Sequence, residues 1–250
     1  MQKHEECEVH ETPSRPTQTP PRDTSWRMFD TIAGRYDALN RLLSFRRDVA
    51  WRRMLANLLP PGDHLRTLDL ATGTADVLLA LKRFNPRVAS GVGVDMSRNM
   101  LRHAKDKIAA RGLSDALRLV RSNGVCMGLA DASFDAVTIS FGIRNMPDAL
   151  ATLHEIRRVL RPGGRALILE FALPKSNVMR ALHLFYLRHV LPHIGGLASG
   201  NFAAYRYLNT TIETFPYGEE FCALMREAGF RNVVAHTLTF GAANLYQGDA

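Results

Sequence analysis

The 250-residue sequence contains no uninterrupted apolar run of about 18 residues, the length that crosses a bilayer as a helix. Residues 1–25 are polar and proline-rich, so we do not expect a secretory signal peptide. Cysteine is also scarce, and Cys7, Cys126 and Cys222 have neither C-x-x-C nor metal-ligand spacing. These absences predict a cytoplasmic protein with reduced thiols, and exclude an integral helical membrane protein and a disulfide-rich secreted one.

Glycine is scarce where a dinucleotide-binding loop needs it. Residues 66–76 read as a short strand, a turn of small residues and the start of a helix, with Gly73 as the single glycine. The dinucleotide fingerprint G-x-G-x-x-G uses three glycines, so no pyrophosphate site is predicted. Asp69 stands near the end of the strand and Thr74 follows the glycine. We expect Asp69, Gly73 and Thr74 to contact a nucleotide-like cofactor that has no phosphates.

A second predicted strand, Gly91–Asp95, lies about twenty residues further on and also ends in a carboxylate. Doubly wound sheets place at this position the acidic group that binds ribose hydroxyls. A third strand, Leu117–Arg121, leads to Asn123 and Gly124, where an amide can contact an adenine edge. S-adenosylmethionine has a ribose and an adenine but no phosphate, and we predict that it binds at these strand ends.

The net charge is +8 and the pI is near 9.8, which are values also found in proteins that bind nucleic acids or anionic membranes. The charges are scattered, and the densest cluster, residues 46–53, is interrupted by apolar residues at helical spacing. We interpret this cluster as a solvated helix face, with attraction to a membrane surface as the alternative. Nucleic acid is not an expected partner.

The chain divides into a tail and one domain. Residues 1–25 predict a disordered tail, because their polar and proline-rich composition leaves little apolar surface to bury. Residues 26–250 predict a single domain, in which residues 26–62 form two amphipathic helices that either cover the sheet or close as a lid over a ligand. Residues 172–216 predict a helical insertion that builds a substrate pocket.

Strands alternate with helices between these two helical segments, which favours an α/β fold with a doubly wound, mostly parallel seven-stranded sheet. A strand at residues 165–171 is predicted after the turn Arg161-Pro-Gly-Gly164, and a helix over residues 178–190. Segments 232–234 and 243–246 predict an antiparallel C-terminal hairpin.

Several motifs in chain order make the sequence resemble a known family. They are Asp69-Leu-Ala-Thr-Gly-Thr-Ala-Asp76, Phe141-Gly-Ile-Arg-Asn145, Arg158-Val-Leu-Arg-Pro-Gly-Gly-Arg165, Leu169-Glu-Phe171, Leu191-Pro-His-Ile-Gly195 and Tyr205-Arg-Tyr-Leu208. The Arg-Pro-Gly-Gly turn occurs in many methyltransferases, whereas Phe-Gly-Ile-Arg-Asn and Tyr-Arg-Tyr-Leu are far more specific. Together the motifs resemble the UbiE/MenG family of quinone-biosynthesis methyltransferases, over residues 28–248.

The resemblance implies a class I S-adenosylmethionine-dependent methyltransferase fold and C-methylation of a demethylmenaquinol, the final step of menaquinone biosynthesis. The alternatives are C-methylation of a polyprenyl benzoquinol in ubiquinone biosynthesis, a methyltransferase for another small molecule or RNA, and a non-catalytic binding module. Carried over by motif, the cofactor contacts fall on Thr74, Asp95, Asn123, Gly124 and Ser140. The implied partners are a polyprenyl quinol and the inner face of the cytoplasmic membrane as a peripheral contact, and a homodimer is left open.

Some positions depart from the family's pattern. Ala75 stands where the family usually has glycine, and we expect its methyl group to lie toward the methionine end of the cofactor. Gly124 stands where alanine is usual. Residues 46–48, Ala204 and Tyr246 also differ from the family, in regions predicted to contact the quinone.

Methyl transfer to a ring carbon requires an electron-rich ring, which a quinol becomes when a hydroxyl group loses its proton. Arg144 follows a predicted strand end, and we expect it either to stabilise the quinolate or to form a structural salt bridge with Glu170. Asn145 is expected to orient a hydroxyl group or a water molecule. Tyr205 and Tyr207 either line the ring pocket or belong to the core.

No metal site is predicted. His189 and His193 are spaced like ligands, but Pro192 interrupts their helix and no third ligand is close in sequence. The apolar helix around Phe185 predicts either buried core or a channel for a prenyl tail.

Overall fold

The computed structural model describes residues 22–44, 47–191 and 202–250. The strands are β1 (Leu65–Leu70), β2 (Val88–Asp95), β3 (Leu117–Arg121), β4 (Phe134–Ser140), β5 (Leu160–Phe171), β6 (Arg231–Leu238) and β7 (Ala243–Asp249). The helices are α1 (Ser25–Leu43), α2 (Arg47–Asn57), α3 (Asp76–Phe84), α4 (Arg98–Ala109), α5 (Ala149–Val159), α6 (Asn177–Phe185), α7 (Phe202–Thr214) and α8 (Glu219–Glu227).

The seven strands form one sheet in the order β3-β2-β1-β4-β5-β7-β6. β1 to β5 run parallel, and β7 pairs antiparallel with both β5 and β6. The strand order reverses between β1 and β4, which is the switch point where open α/β sheets bind ligands outside the carboxyl ends of their strands. The predicted α/β fold, a doubly wound, mostly parallel sheet with an antiparallel C-terminal hairpin, is confirmed.

The core lies on both faces of the sheet, because central parallel strands are covered by helices on each side. Leu68 of β1 is fully buried and packs in one cluster with Ile156 of α5 and Phe221 of α8. A second cluster contains Leu55 of α2 and Leu81 of α3. The sheet is therefore fixed from both sides, and its carboxyl edge is left to carry the loops.

Several elements differ from the predictions: β2 begins at Val88 rather than Gly91, and β6 and β7 run on to Leu238 and Asp249. β5 begins at Leu160 rather than Arg165, because Leu160 pairs with Phe134 before the chain bulges through the turn and Arg165 pairs with Ala136. The helix predicted over residues 178–190 is α-helical only to Phe185 and continues as a π-helical segment, Tyr186–Val190.

The structure describes the last residues of the predicted tail and most of the predicted lid and insertion. Residues 1–21 lie outside the described residues, and Arg22–Thr24 form a 3₁₀ turn that leads into α1 at Ser25. The predicted lid segment consists of α1 and α2, and the predicted insertion contains α6 and α7. Among the residues that the structure describes, none of the helices has the length and apolar character needed to cross a membrane.

Candidate active site

A cleft lies at the carboxyl edge of the sheet, between α1 and the loops that follow β1, β2, β3 and β4. It contains about 910 Å³ of empty space, part of which is open to solvent. Its lining residues are Arg22, Ser25, Trp26, Phe29, Leu70, Ala71, Gly73, Asp95, Met96, Met100, Ser122, Asn123, Gly124, Ser140, Phe141, Gly142, Asn145, Met146 and Pro147.

Most of the predicted site residues meet in this cleft, namely Gly73, Asp95, Asn123, Gly124, Ser140 and Asn145. Asp69, Thr74, Arg144 and Tyr207 are not among its lining residues. The side chain of Tyr205, a residue of α7, lies outside the described part of the chain. Trp26 and Phe29 of α1 are further lining residues, which apolar periodicity could not identify because this pattern does not tell which residues of a lid face a ligand.

Asp95 ends β2 and ties two loops of the cleft together. Its Oδ2 accepts a hydrogen bond from the Gly73 N–H at 2.8 Å, and its Oδ1 accepts one from the Ser97 N–H at 2.8 Å. Burial raises the pKa of Asp95, and these backbone donors oppose the rise. A carboxylate has about four lone-pair sites, so the remaining ones can accept bonds from vicinal hydroxyl groups such as those of a ribose.

Asp69 lies beneath the cleft and is only 1% exposed. The register of β1 against β4 places it opposite Thr138, whose hydroxyl donates a hydrogen bond at 2.6 Å. The Thr72 hydroxyl donates a second bond at 2.7 Å. Burial raises the pKa of Asp69 to about 7, although both hydroxyl groups act in the other direction. This carboxyl group braces the turn after β1 from below.

Ala75 has a left-handed backbone at the N-cap of α3, with φ of 66° and ψ of 22°. A Cβ in this conformation costs roughly 1–2 kcal/mol. The side chain is fully buried in a cluster with Leu78 and Ala104, and it is not part of the cleft lining. The expectation that its methyl group lies toward the cofactor is wrong, and the departure from glycine results in backbone strain instead.

Gly124 lies against the side chain of Met146, which leaves no room for a Cβ atom at position 124. A Cβ at Gly124 would lie 2.9 Å from the Met146 sulfur and 3.3 Å from Leu70 Cδ1. Gly124, Met146 and Leu70 all line the cleft. The glycine in place of the family's alanine therefore leaves the space that Met146 occupies.

α1 is fastened to the loop after β2 by Asp30. Its Oδ1 accepts hydrogen bonds from the Ser97 hydroxyl at 2.5 Å and the Asn99 N–H at 2.9 Å, and its Oδ2 accepts one from Asn99 Nδ2 at 2.8 Å. Ser97 is the N-cap of α4, where an anion is favoured by the helix dipole. Burial opposes ionisation, but these bonds lower the pKa of Asp30.

Asp37 provides a second anchor, seven residues further along α1. It accepts a hydrogen bond from the Thr74 hydroxyl at 2.5 Å and forms an ion pair with Lys107 of α4 at 2.7 Å. Lys107 also contacts Thr74 and pairs with Asp76 of α3. The Thr74 hydroxyl, a predicted cofactor contact, is thus occupied in a polar cluster that joins α1 to the loop after β1.

The 3₁₀ turn Ile143–Asn145 follows β4 and contains a buried ion pair. Arg144 is 3% exposed, and its NH1 lies 2.5 Å from Glu170 Oε1 and 2.8 Å from the Phe141 carbonyl oxygen. Its guanidinium group also lies 5.3 Å from the centre of the Phe171 ring. Burial raises the pKa of Glu170, and Arg144 opposes the rise. The alternative noted for Arg144, a salt bridge with Glu170, is the arrangement in this structure.

Three buried polar atoms beside this turn have no hydrogen-bond partner within the described residues: Ser140 Oγ, Asn145 Oδ1 and Arg144 Nε. A buried polar atom without a partner costs about 1–3 kcal/mol, so such atoms are expected to pair with ordered water or with a bound ligand. Tyr207 is buried on α7, the helix that packs against this turn; burial raises the pKa of Tyr207, and Arg144 and Ser25 oppose the rise. Ser140 and Asn145, which both line the cleft, are therefore suited to hydrogen-bond a ligand bound there.

The sequence profile described as the ubiE/COQ5 methyltransferase family matches residues 22–249. The chain belongs to this family. The demethylmenaquinone methyltransferase of Thermus thermophilus is 46% identical over 222 residues, which cover 89% of this chain and 99% of that protein. The ubiquinone/menaquinone biosynthesis C-methyltransferase UbiE of Geobacter sulfurreducens is 45% identical, with 89% and 86% covered.

A solved methyltransferase structure has the same fold as this chain. A S-adenosylmethionine-dependent methyltransferase of Thermotoga maritima superposes with a TM-score of 0.63 at 20% identity, over 90% of this chain and 99% of that one. As a ubiE/COQ5 family member, the protein is a methyltransferase that uses S-adenosylmethionine. Among the described residues, no group of three His, Cys, Asp or Glu side chains is placed to hold a metal ion.

Proposed function

We propose that the protein methylates a ring carbon of a demethylmenaquinol, a polyprenyl naphthoquinol, in menaquinone biosynthesis. Membership of the ubiE/COQ5 family carries this proposal, together with the similarity to the Thermus protein over nearly its whole length. The cleft fits the reactants, because it combines a carboxylate suited to ribose, apolar walls and unpartnered polar atoms at one end.

Asp95 holds the cofactor in this proposal, by accepting bonds from the ribose hydroxyl groups. Asn123 and Gly124 border the adenine. When bound, S-adenosylmethionine supplies a methyl group on a positively charged sulfur. Trp26 and Phe29 of α1 close the cleft on the solvent side and exclude water, which keeps the site dry for methyl transfer.

Asn145 orients the quinol ring, and Ser140 contacts the cofactor in this proposal. Asn145 Oδ1 accepts a hydrogen bond from a quinol hydroxyl group, and this bond raises the electron density of the ring carbon that attacks. The Nδ2 atom of Asn145 is already fixed by the Phe141 carbonyl oxygen at 3.2 Å. The amide oxygen is therefore held in one orientation before substrate binds, which lowers the entropy cost of reaching a reactive geometry.

Arg144 acts as a positioning residue in this proposal. Its charge is compensated by Glu170, and it is not part of the cleft lining, so it is poorly placed to stabilise a quinolate directly. It donates a hydrogen bond to the same Phe141 carbonyl oxygen that holds Asn145. The ion pair thereby fixes the turn that presents Asn145 to the substrate. Tyr207 of α7, the helix that packs against this turn, is the aromatic residue proposed to border the ring.

A polyprenyl quinol resides in a bilayer, so we also propose that the protein works in the cytoplasm as a peripheral protein at the inner face of the cytoplasmic membrane. Its net charge of +8 favours attraction to anionic lipid.

The proposed function is tested with purified protein, S-adenosylmethionine and demethylmenaquinol kept reduced in detergent. Mass spectrometry should detect the methylated product, and the oxidised quinone should give none, because only the quinol ring is electron-rich. A matching reaction with a polyprenyl benzoquinol tests the alternative substrate, which the name of the Geobacter relative also includes. Faster turnover of the benzoquinol would assign the protein to ubiquinone biosynthesis, and turnover of neither quinol would contradict the proposed function.

A further inference from the structure

The helix α6 is apolar on the face that points away from the protein. Val178, Leu182 and Phe185 recur at i, i+4 and i+7, which places them on one side of the helix. Their exposures are 67%, 59% and 60%. A surface helix normally turns polar residues to solvent. This face is therefore built to contact something other than water.

The inward side of the same segment is already buried. Leu187 and Leu191, beyond Phe185, pack in a small cluster with Leu173 and Ile212 of α7. The outward apolar face is thus additional to the side on which Leu184 of α6 packs against this cluster, and it is left exposed.

A second exposed aromatic residue lies on the turn between β6 and β7. Phe240 is 85% exposed and has a left-handed backbone, with φ of 56° and ψ of 21°. A bulky residue in this conformation is strained, and such strain tends to persist where function requires it. The turn is held in place by the Trp51 indole of α2, which donates a hydrogen bond to the Thr239 hydroxyl at 3.1 Å.

Strand register places both features at the edge of the sheet that carries the cleft. Phe171, the last residue of β5, pairs with Ala243, and Ala243 pairs with Leu238 at the end of β6. The turn also packs against the start of the insertion, since a Cβ on Gly241 would lie 3.0 Å from Pro174 Cα. Phe240 and α6 therefore both follow strand ends at the edge of the sheet that carries the cleft, and we call these two exposed apolar features together the apolar rim.

We propose that the apolar rim, formed by Val178, Leu182, Phe185 and Phe240, docks on the surface of an anionic lipid bilayer. An amphipathic helix and an exposed aromatic residue are the elements that insert at the boundary between headgroups and acyl chains. Lys175, which is exposed and precedes α6, together with the net charge of +8, complements anionic headgroups. The proposal rests on the proposed function, because a polyprenyl substrate must reach the cleft from a bilayer.

The test is co-sedimentation of the full chain with vesicles of phosphatidylcholine and phosphatidylglycerol in equal parts. The unmodified protein should bind, and Phe240→Ser and Leu182→Ser should each weaken binding about tenfold, since each removes one large apolar side chain from the bilayer. Val234→Ser is the matched control, because Val234 is exposed on β6 but lies outside the apolar rim, and it should bind normally. Failure of the unmodified protein to bind, or equal losses in the control, would overturn the proposal.

Two further measurements separate this proposal from its competitors. If α6 is instead covered by a second copy of the chain, sedimentation velocity should show a dimer that Leu182→Ser dissociates, and that outcome would also overturn lipid docking. Turnover of a tail-less demethylnaphthoquinol in solution should be the same in Phe240→Ser and in the unmodified protein. If neither protein turned over this substrate, the proposed function would be contradicted. Vesicle binding is measured without substrate, so the failure of lipid docking can be told apart from the failure of the proposed function.

Discussion

The ion pair between Arg144 and Glu170 can be tested by removing one partner and then both. Arg144→Gln leaves the Glu170 carboxylate, which is about 1% exposed, without its counter-charge. Breaking a buried pair on one side typically costs about 3–5 kcal/mol of unfolding free energy. The turn then also loses the bond from Arg144 to the Phe141 carbonyl oxygen, so Asn145, which donates to the same oxygen, is held less firmly. We expect both stability and turnover to fall.

The double variant Arg144→Gln with Glu170→Gln decides what the pair does. It has no buried charge, and its amide groups can still bridge the turn to β5, so most of the lost stability should return. If Arg144 acts by position, turnover should recover to within about tenfold of the unmodified protein, since one neutral bond replaces a charged one. If its charge stabilises the quinolate, turnover should stay about 10²–10³-fold low in a well-folded protein.

The assays are urea unfolding for stability, calorimetry for cofactor affinity and initial rates with reduced demethylquinone in detergent. Cofactor affinity should stay near normal in all variants, because neither residue lines the cleft. The stability deficit of Arg144→Gln should also shrink at acidic pH. Burial raises the pKa of Glu170, so an unpaired Glu170 is stabilised by its proton below its unfolded pKa, and this contribution is lost as the pH rises through the folded pKa. A deficit below about 1 kcal/mol would refute the reasoning, because it would equal that of an exposed pair.

Three other predictions concern the cofactor cleft. The chain has two tryptophans, of which Trp26 lines the cleft and Trp51 is buried elsewhere, so cofactor binding should change the tryptophan fluorescence. Trp26→Phe should abolish the change, and an undiminished change would place the cofactor away from α1. Asp95→Asn should weaken cofactor binding by about 1.5–3 kcal/mol, the scale of hydrogen bonds to a charged group, and unchanged affinity by calorimetry would remove Asp95 from the ribose. The folded-state pKa of Asp69 is raised to about 7, so protonated Asp69 stabilises the fold relative to ionised Asp69. The difference in unfolding free energy between the unmodified protein and Asp69→Asn should therefore favour the unmodified protein most below the ordinary aspartate pKa. This advantage should fall as the pH rises to about 7. Urea unfolding at pH 5 and pH 8 measures this difference, and a larger relative stability at pH 8 would contradict it.

Much of the fold follows from the sequence alone, since local patterns encode it. The alternation of apolar strands and amphipathic helices determined the parallel sheet, and turn residues bounded most of its elements. The carboxyl ends of parallel strands meet at one edge, so the position of Asp95 at a strand end was enough to place it in the cleft. The same reasoning placed Asn123 there, whereas Ser140, which also lines the cleft, was implied by the resemblance to the family.

Only the tertiary structure decided which side chains face the cleft and which support it. Successive side chains of a strand point to opposite faces of the sheet, and the register of β1 against β4 places the Asp69 side chain beside Thr138, beneath the turn after β1. The bonds of Asp30 to Ser97 and of Arg144 to Glu170 join residues far apart in sequence. Spacing along a chain cannot specify such contacts, because they depend on how separate elements pack. The exposed face of α6 was undecidable for the same reason, since its apolar pattern is equally that of a buried helix.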